Sequence, residues 1–379
     1  MSVSTTAIIT PYAMVAMLLW HRQRKECRFC KPSWSRAPAL CAIILCVGTF
    51  VIFSITTRGY SDPNKAVLGW EPSKNLSVAA FLETVDVNGR HEDGENASVC
   101  DSDLLLLVVV CSSPEKEALR TAIRQTWASQ QDDSVRVVFL LGRPPPSHES
   151  AYVQSRISRE KEMYQDIIQE DFIDSYNNLT IKSIMMLRWF TKNCKRTGYL
   201  LKSDDDIFLD FRVLNQSLRS PFPKWITPDN FLGGTLIRGA KPNKDNSDKW
   251  FMPNYLYAGS RYPNYLSGTA YLMSRQVAEK LFTASFGVNM IHMEDIYITG
   301  VCARKAGIRP FSLFGFTLSK EKHMGCRSRH IMSHRVTPAG MYHIWKTRAA
   351  CSQFYVTSIF QDRQFGLWEK VANKLHGGR

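Results

Sequence analysis

The run Tyr199-Leu200-Leu201-Lys202-Ser203-Asp204-Asp205-Asp206-Ile207-Phe208-Leu209-Asp210 carries an apolar, strand-like stretch into three consecutive aspartates and back to apolar residues. Three neighbouring carboxylates repel one another, and only solvent, protons or a cation relieve that repulsion. Leu200, Leu201, Ile207, Phe208 and Leu209 imply buried backbone on both sides of the cluster. A solvated acidic turn and a cation site both fit this local pattern, and the apolar flanks favour the cation. In an α/β chain, ligands bind beyond the ends of buried strands. Oxygen donors suit hard cations such as Mn2+ or Mg2+, and such a cation would in turn bind a diphosphate.

The surrounding sequence supports an α/β class. Leu104 to Cys111 is a continuous apolar run of the kind expected for a strand covered on both faces. Ser112-Ser113-Pro114-Glu115 then reads as a helix start, with a Ser cap, Pro at the start and an acid in the first turn, and the helix running through Trp127. Val135 to Leu141 is a second buried strand, and Tyr199 to Ser203 a third. Ser155 to Gln169 and Asn178 to Cys194 read as helices. Strands alternating with helices predict a mainly parallel sheet. Further on, Phe231 to Thr235 and Ala270 to Met273 read as strands, and Trp250 to Tyr271 is rich in Tyr, Pro and Gly. Aromatic loop residues of this kind serve either as core or as stacking surfaces for sugar rings. Met293 to Cys302 opens with Glu294-Asp295 and continues as an apolar helical pattern; acids there also suit a helix N-terminus with no chemistry attached.

The N-terminal region has a different texture. Ala37 to Thr57 holds no charged residue and is long enough to span a bilayer as a helix. Arg22, Arg24, Lys25, Arg28, Lys31 and Arg36 precede it, which predicts a cytoplasmic N-terminus and an uncleaved signal anchor. A shorter apolar patch, Ala7 to Trp20, contains Pro11 and fits either a second membrane segment or an apolar stretch of the tail. The predicted organisation is a cytoplasmic tail (1–36), an anchor (37–57), a polar lumenal stem (58–99) and a globular domain (100–379). Asn75, Asn96, Asn178 and Asn215 each begin an N-glycosylation acceptor tripeptide, and all four lie beyond the anchor. Beyond it too lie Cys100, Cys111, Cys194, Cys302, Cys326 and Cys351, an even number compatible with disulfides in an oxidising compartment. The Cys27/Cys30 pair has no second pair to complete a metal site. The net charge of +14 suits anionic ligands. No zinc finger, RNA-recognition signature or basic–aromatic repeat points to nucleic acid.

Four segments, in order, resemble the β-1,3-glycosyltransferases. Arg120-Thr121-Ala122-Ile123-Arg124-Gln125-Thr126-Trp127 resembles their R-x-x-I-R-x-T-W segment, and Lys202 to Phe208 their K-x-D-D-D-x-F metal motif. Tyr262 to Tyr271 resembles Y-P-x-Y-x-S-G-x-x-Y, and Glu294-Asp295-Ile296-Tyr297 resembles E-D-V-Y. The resemblance spans roughly Asp103 to Trp345. It implies a GT-A fold in the Golgi lumen, a type II membrane anchor, a UDP-sugar donor, Mn2+ dependence, and inverting transfer to the 3-hydroxyl of an acceptor glycan. It assigns Asp206 as the direct metal ligand, with Asp204 toward ribose or metal and Asp205 beside them on the donor side. His334, in Ser333-His334-Arg335-Val336-Thr337-Pro338, resembles a late H-R-x-S/T-P segment and is either a metal or diphosphate ligand or a structural histidine. Arg120, Arg124 and Trp127 are implied to help form the nucleotide site. Asp295 is implied as the general base, with Glu294 next to it.

The chain departs from the pattern in two places. Leu266 stands where the family often has a cysteine, and Ile298-Thr299-Gly300 has one residue more than the usual V-G. The Glu-Asp pair leans toward galactose from UDP-galactose over N-acetylglucosamine from UDP-N-acetylglucosamine. Two other classes compete: a glycoside hydrolase, which also uses paired acids but no nucleotide, and a non-catalytic glycan-binding membrane protein, which has no use for both acidic clusters.

Overall fold

The computed structural model describes residues 62–87, 97–100, 102–211, 213–214, 218, 224, 226–318 and 330–350. The predicted anchor at 37–57 lies outside these residues, as do Asn96, Asn215, Cys326 and Cys351. Among the described residues no helix is long and apolar enough to cross a membrane.

The centre is a seven-stranded sheet. Its strands are β1 (Leu106–Cys111), β2 (Val135–Arg143), β3 (Ile167–Ile173), β4 (Tyr199–Asp204), β6 (Leu232–Ile237), β7 (Tyr265–Ser274) and β8 (Phe311–Ser312), in the order β3-β2-β1-β4-β7-β6-β8. β3, β2, β1 and β4 run parallel, and β7 is antiparallel to both β4 and β6. A second, two-stranded sheet pairs β5 (Ile207–Leu209) with β9 (Met332–His334).

The apolar runs make this sheet because alternate residues feed two cores. Leu107, Val109 and Cys111 of β1 join one core with Val138, Leu140 and Leu200. Leu106, Val108 and Val110 join the other with Val137, Phe139 and Leu201. The first core is covered by helix α4 (Leu179–Asn193) through Ile184 and Leu187, and by α5 (Arg275–Ser285) through Val277 and Leu281. The second is covered by α2 (Glu117–Gln125) through Ala122 and Ile123, and by α8 (Pro338–Ala350) through Met341 and Ile344. With both faces covered, a parallel strand has no polar side, hence the unbroken apolar run. Each such aliphatic side chain contributes about 1.5–3 kcal/mol on burial.

Several local expectations change. The helix expected over Ser155 to Gln169 is α3 (Ser150–Tyr164), and Ile167 to Gln169 belong to strand β3. Gln165, with φ 55°, closes the helix in the left-handed region, and the chain leaves it as an edge strand. Ser112 does not cap a helix: α2 starts at Glu117, and Ser112 turns inward instead. The segment from Glu294 is α6 (Glu294–Ile296), a π-helical stretch (Tyr297–Cys302) and a final short turn, α7 (Ala303–Lys305). A π insertion accommodates one extra residue in a helix, which is where this chain is longer than the pattern it resembles.

Part of the segment expected as a stem is folded onto the domain. Trp70 is buried and donates its indole N–H to the Asn177 carbonyl at 2.8 Å. Helix α1 (Val78–Val87) contributes Val78, Leu82 and Val85 to the first core. Polar surroundings hid this: Val78, Leu82 and Val85 stand at helical spacing, but for barely two turns, and Trp70 is isolated before them. Cys100 is disulfide-bonded to Cys194, tying the end of this segment to the end of α4, whereas Cys111 and Cys302 are buried thiols.

Trp127 tests the packing. Its side chain is buried, donates to the Ile207 carbonyl at 3.0 Å and meets Phe211 edge-on at 5.4 Å. Trp127→Phe should leave that buried carbonyl without its donor and lower stability by about 1–3 kcal/mol. Chemical denaturation measures this; an unchanged midpoint would show that the bond contributes nothing.

Candidate active site

The three aspartates have separate fates. β4 ends at Asp204 and a tight turn leads into β5. Asp205 points inward and is buried; it accepts from the Ser112 hydroxyl and the Lys116 ammonium, both at 2.9 Å. Asp204 and Asp206 keep side chains about one third exposed, 34% and 36%. One carboxylate therefore anchors the loop after β1, and the two on either side of it face outward.

Strand β9 places His334 beside Asp206. Ile207 pairs with His334 in the β5/β9 ladder, and the Val336 amide donates to the Asp206 carbonyl at 2.9 Å. His334 Nε2 lies 3.6 Å from Asp206 Oδ2. Asp206 Oδ1 is buried and has no hydrogen-bond partner. Burial raises the Asp206 carboxyl above its ordinary range, and the Asp204 charge adds to this. An orphaned carboxylate oxygen beside an imidazole, with a second aspartate near, suits a divalent cation that takes O and N donors. Among the described residues, however, no group of three or more His, Cys, Asp or Glu side chains is gathered as a ready metal cage. Asp204, Asp206 and His334 are therefore not gathered into a complete donor set.

The second acidic pair sits on α6 against β7. Asp295 is half-buried; it accepts from the Gly268 amide at 3.1 Å and from its neighbour Ile296 N–H at 2.8 Å. Gly268 is needed for this approach: a Cβ there would lie 3.2 Å from Asp295 Cβ and from Glu294 Oε2. Burial, then the charge of Glu294, pushes the Asp295 carboxyl up to about 7, against the two amides that favour its charged form. Glu294 is buried and accepts from the Tyr271 hydroxyl at 2.5 Å and the Ser183 hydroxyl at 3.0 Å. Both hydroxyls reach the same oxygen, Glu294 Oε1, whereas Asp295 accepts one amide on each oxygen and stays partly exposed.

Lys202 connects the two acidic groups. Its ammonium is buried, lies 2.5 Å from Asp204 Oδ1 and 3.8 Å from Glu294 Oε2, and donates to the Gly268 carbonyl. Burial alone would push it toward neutrality, but the Asp204 and Glu294 carboxylates outweigh that and hold it charged. Lys202 and Asp204 are two apart on β4, so they share a face.

Arg120, Arg124 and Trp127 do not join this group. Arg120 is buried; it bonds both oxygens of Glu160, at 2.9 and 2.7 Å, the Ser113 and Pro114 carbonyls and the Ser112 hydroxyl. Arg124 takes Glu160 at 2.7 Å and Asp166 at 2.8 Å and lies 4.0 Å over the Tyr164 ring. Trp127 faces the second core. Arg120 thus holds Ser112, and Ser112 holds Asp205. Buried Lys182 braces the same loop from the other side, donating to the Ser112 carbonyl at 2.6 Å and pairing with Asp174 at 2.8 Å. Sequence reasoning gives no site role to Ser112, Lys116, Lys182 and Tyr271. Ser112 reads only as part of a helix start and Tyr271 only as part of a strand and the end of the Tyr262–Tyr271 segment, while Lys116 and Lys182 carry no signal beyond their positions.

Of the acceptor asparagines, Asn75 is exposed. Asn178 is half-buried and donates through Nδ2 to the Ile173 carbonyl at 2.8 Å, with the hydroxyl of buried Thr180 donating to the Ile291 carbonyl at 2.6 Å.

The family model for galactosyltransferases matches residues 118–313, a span that contains both acidic clusters. Mouse and human β-1,3-galactosyltransferase 1 are each 36% identical to the chain over 296 residues, covering 75% of it and 88% of the relative. Mouse β-1,3-galactosyltransferase 2 is 35% identical over 248 residues, covering 63% of this chain and 57% of that one. A buried strand ending in aspartates, a charged lysine behind it and an acidic pair on the facing helix are therefore features of a glycosyltransferase, and the chain belongs to the galactosyltransferase family.

Proposed function

We propose that the enzyme transfers galactose from UDP-galactose, with inversion, to the 3-hydroxyl of an acceptor sugar on a glycoprotein or glycolipid. The reading places a GT-A type domain in the Golgi lumen behind a type II anchor at 37–57, and it includes Mn2+, with Mg2+ as substitute. One observation carries it: buried, charged Lys202 ties the Asp204 side to the Glu294-Asp295 helix, so a cation-binding edge and a poised base share one wall.

Asp206 and His334, with Asp204, would hold the cation. When bound, it supplies positive charge against the diphosphate of the leaving UDP. Asp205, held by Ser112 and Lys116, fixes the turn that presents them. Arg120 and Arg124 position that loop from inside and do not touch the donor. Asp295 takes the proton of the acceptor hydroxyl, which attacks the sugar from the face opposite UDP. A carboxyl at about 7 is matched to that task near neutral pH. Glu294, bonded by Tyr271 and Ser183, keeps Lys202 charged and Asp295 raised. Exposed Trp250 and Tyr176 offer flat faces for an acceptor ring, and the Tyr176 hydroxyl, raised first by burial, also feels the Asp295 charge.

Asp206→Ala should weaken Mn2+-dependent UDP binding by about tenfold or more and abolish transfer, in a protein that still folds. Calorimetric titration of UDP with and without Mn2+ reads this; transfer that persists in EDTA would defeat the metal role.

Asp295→Asn should leave UDP binding near normal and cut turnover by about two to four orders of magnitude. Glu294→Gln should be milder. A dead Glu294→Gln beside an active Asp295→Asn would exchange the two roles.

The pH dependence follows from the direction of the shift. A base works only when deprotonated, so kcat/KM should fall about tenfold per unit as pH drops below about 7, and the limb should vanish in whatever activity Asp295→Asn retains. A limb ending near 4 would show that Asp295 is not the raised group.

A further inference from the structure

Beside the base helix lies a groove of about 860 Å³ that the reaction as described does not use. Arg238, Arg304 and Arg309 line it, and among the described residues no acidic one does. All three arginines are exposed, and none forms an ion pair with another of the described residues. Tyr262 and Phe311 add aromatic surface. Three guanidinium groups around one concavity leave its positive charge uncompensated, although carboxylates are plentiful elsewhere in the domain.

The groove adjoins the helical segment that carries Asp295. Gly300, five residues after Asp295 on the same helical segment, lines it. Arg304 follows four residues later, so the distance along the axis from Asp295 is about 13 Å at ~1.5 Å per residue. Tyr262 lines the groove, and its hydroxyl, raised chiefly by burial and by Tyr265 and Tyr257, also feels the Asp295 charge. Strands β6 and β8, which carry Arg238 and Phe311 at or just past their ends, lie across β7 from the aspartate turn. The groove thus extends the acceptor side, away from the residues that would hold UDP.

We propose that this groove binds an anionic group, a sulfate or a carboxylate, on an internal sugar of the acceptor chain, so that the enzyme prefers acidic oligosaccharides. The proposal rests on the transferase reading and names its acceptor class. Arginine binds both oxyanions through paired N–H donors, and the aromatic rings pack the apolar faces of the intervening sugars. A neutral acceptor would leave three like charges facing one another across the groove.

The test titrates the full-length protein with three oligosaccharides that share one neutral β-linked end. One carries a sulfate on an internal unit, one a carboxylate, and one neither. The structure predicts that at least one acidic chain binds about tenfold tighter than the neutral one (about 1.4 kcal/mol), with the advantage shrinking as salt rises. The stronger acidic arm identifies the anion. Arg304→Glu with Arg309→Glu should erase the advantage, and the milder triple change of Arg238, Arg304 and Arg309 to Gln should reduce it, each with a thermal midpoint like the parent's. Equal binding of all three chains, or an advantage that survives both variants, overturns the proposal. Failure of UDP-galactose to give product with any acceptor would instead defeat the transferase reading, because the binding comparison needs no donor.

Discussion

The site depends on one buried ammonium. Lys202 has no solvent to pair with, so its charge is tolerable only because Asp204, Glu294 and the Gly268 carbonyl surround it. The same contacts make three separate chain segments one wall: the end of β4, the glycine of β7 and the start of α6. Remove the ammonium, and Asp204 and Glu294 become uncompensated acids beside Asp295. The charge on Lys202 also limits how far Asp295 is raised, since burial and Glu294 push it up while Lys202 pulls it down. The Asp295 carboxyl is therefore set by a balance of neighbours.

That wall rests on a sheet whose function divides at β4. On one side the parallel strands β3, β2, β1 and β4 end in a loop and a turn that Arg120, Lys182 and Ser112 hold from within. On the other side antiparallel β7 brings Gly268 and Tyr271 up to the helix that carries the acids. The reversal of strand direction at β4/β7 brings the start of β7 beside the end of β4, so Gly268 and the aspartate turn lie at one edge of the sheet. In open α/β sheets ligands bind where the strand order reverses, which here is between β1 and β4.

Much of this was legible because charge conflicts with burial in the sequence. Asp204 to Asp206 interrupt apolar strands, and Glu294-Asp295 open an apolar helix; both mark places where a carboxylate has work beyond solvation. What the sequence did not disclose was direction. Asp205 looks like its neighbours but points inward, because the β4–β5 turn rotates it toward Ser112. Arg120 and Arg124 share a motif with a nucleotide site, yet their guanidinium groups end on Glu160 and Asp166. Glu160 lies on α3 and Asp166 between α3 and β3, and which acids the arginines of α2 meet is decided by how these elements pack, not by local sequence. Trp70 and α1 were hidden in a polar segment, and only tertiary packing reveals that they belong to the core.

The central claim is that Asp295 drives attack from the face opposite UDP. Proton NMR of the product made from UDP-α-galactose reads the outcome directly, through the coupling of the new anomeric proton. The account predicts a β-linked galactose on the 3-position of the acceptor, formed from the first turnovers onward. An α-linked product would mean retention of configuration, and would contradict both the role given to Asp295 and the way the wall around Lys202 is read.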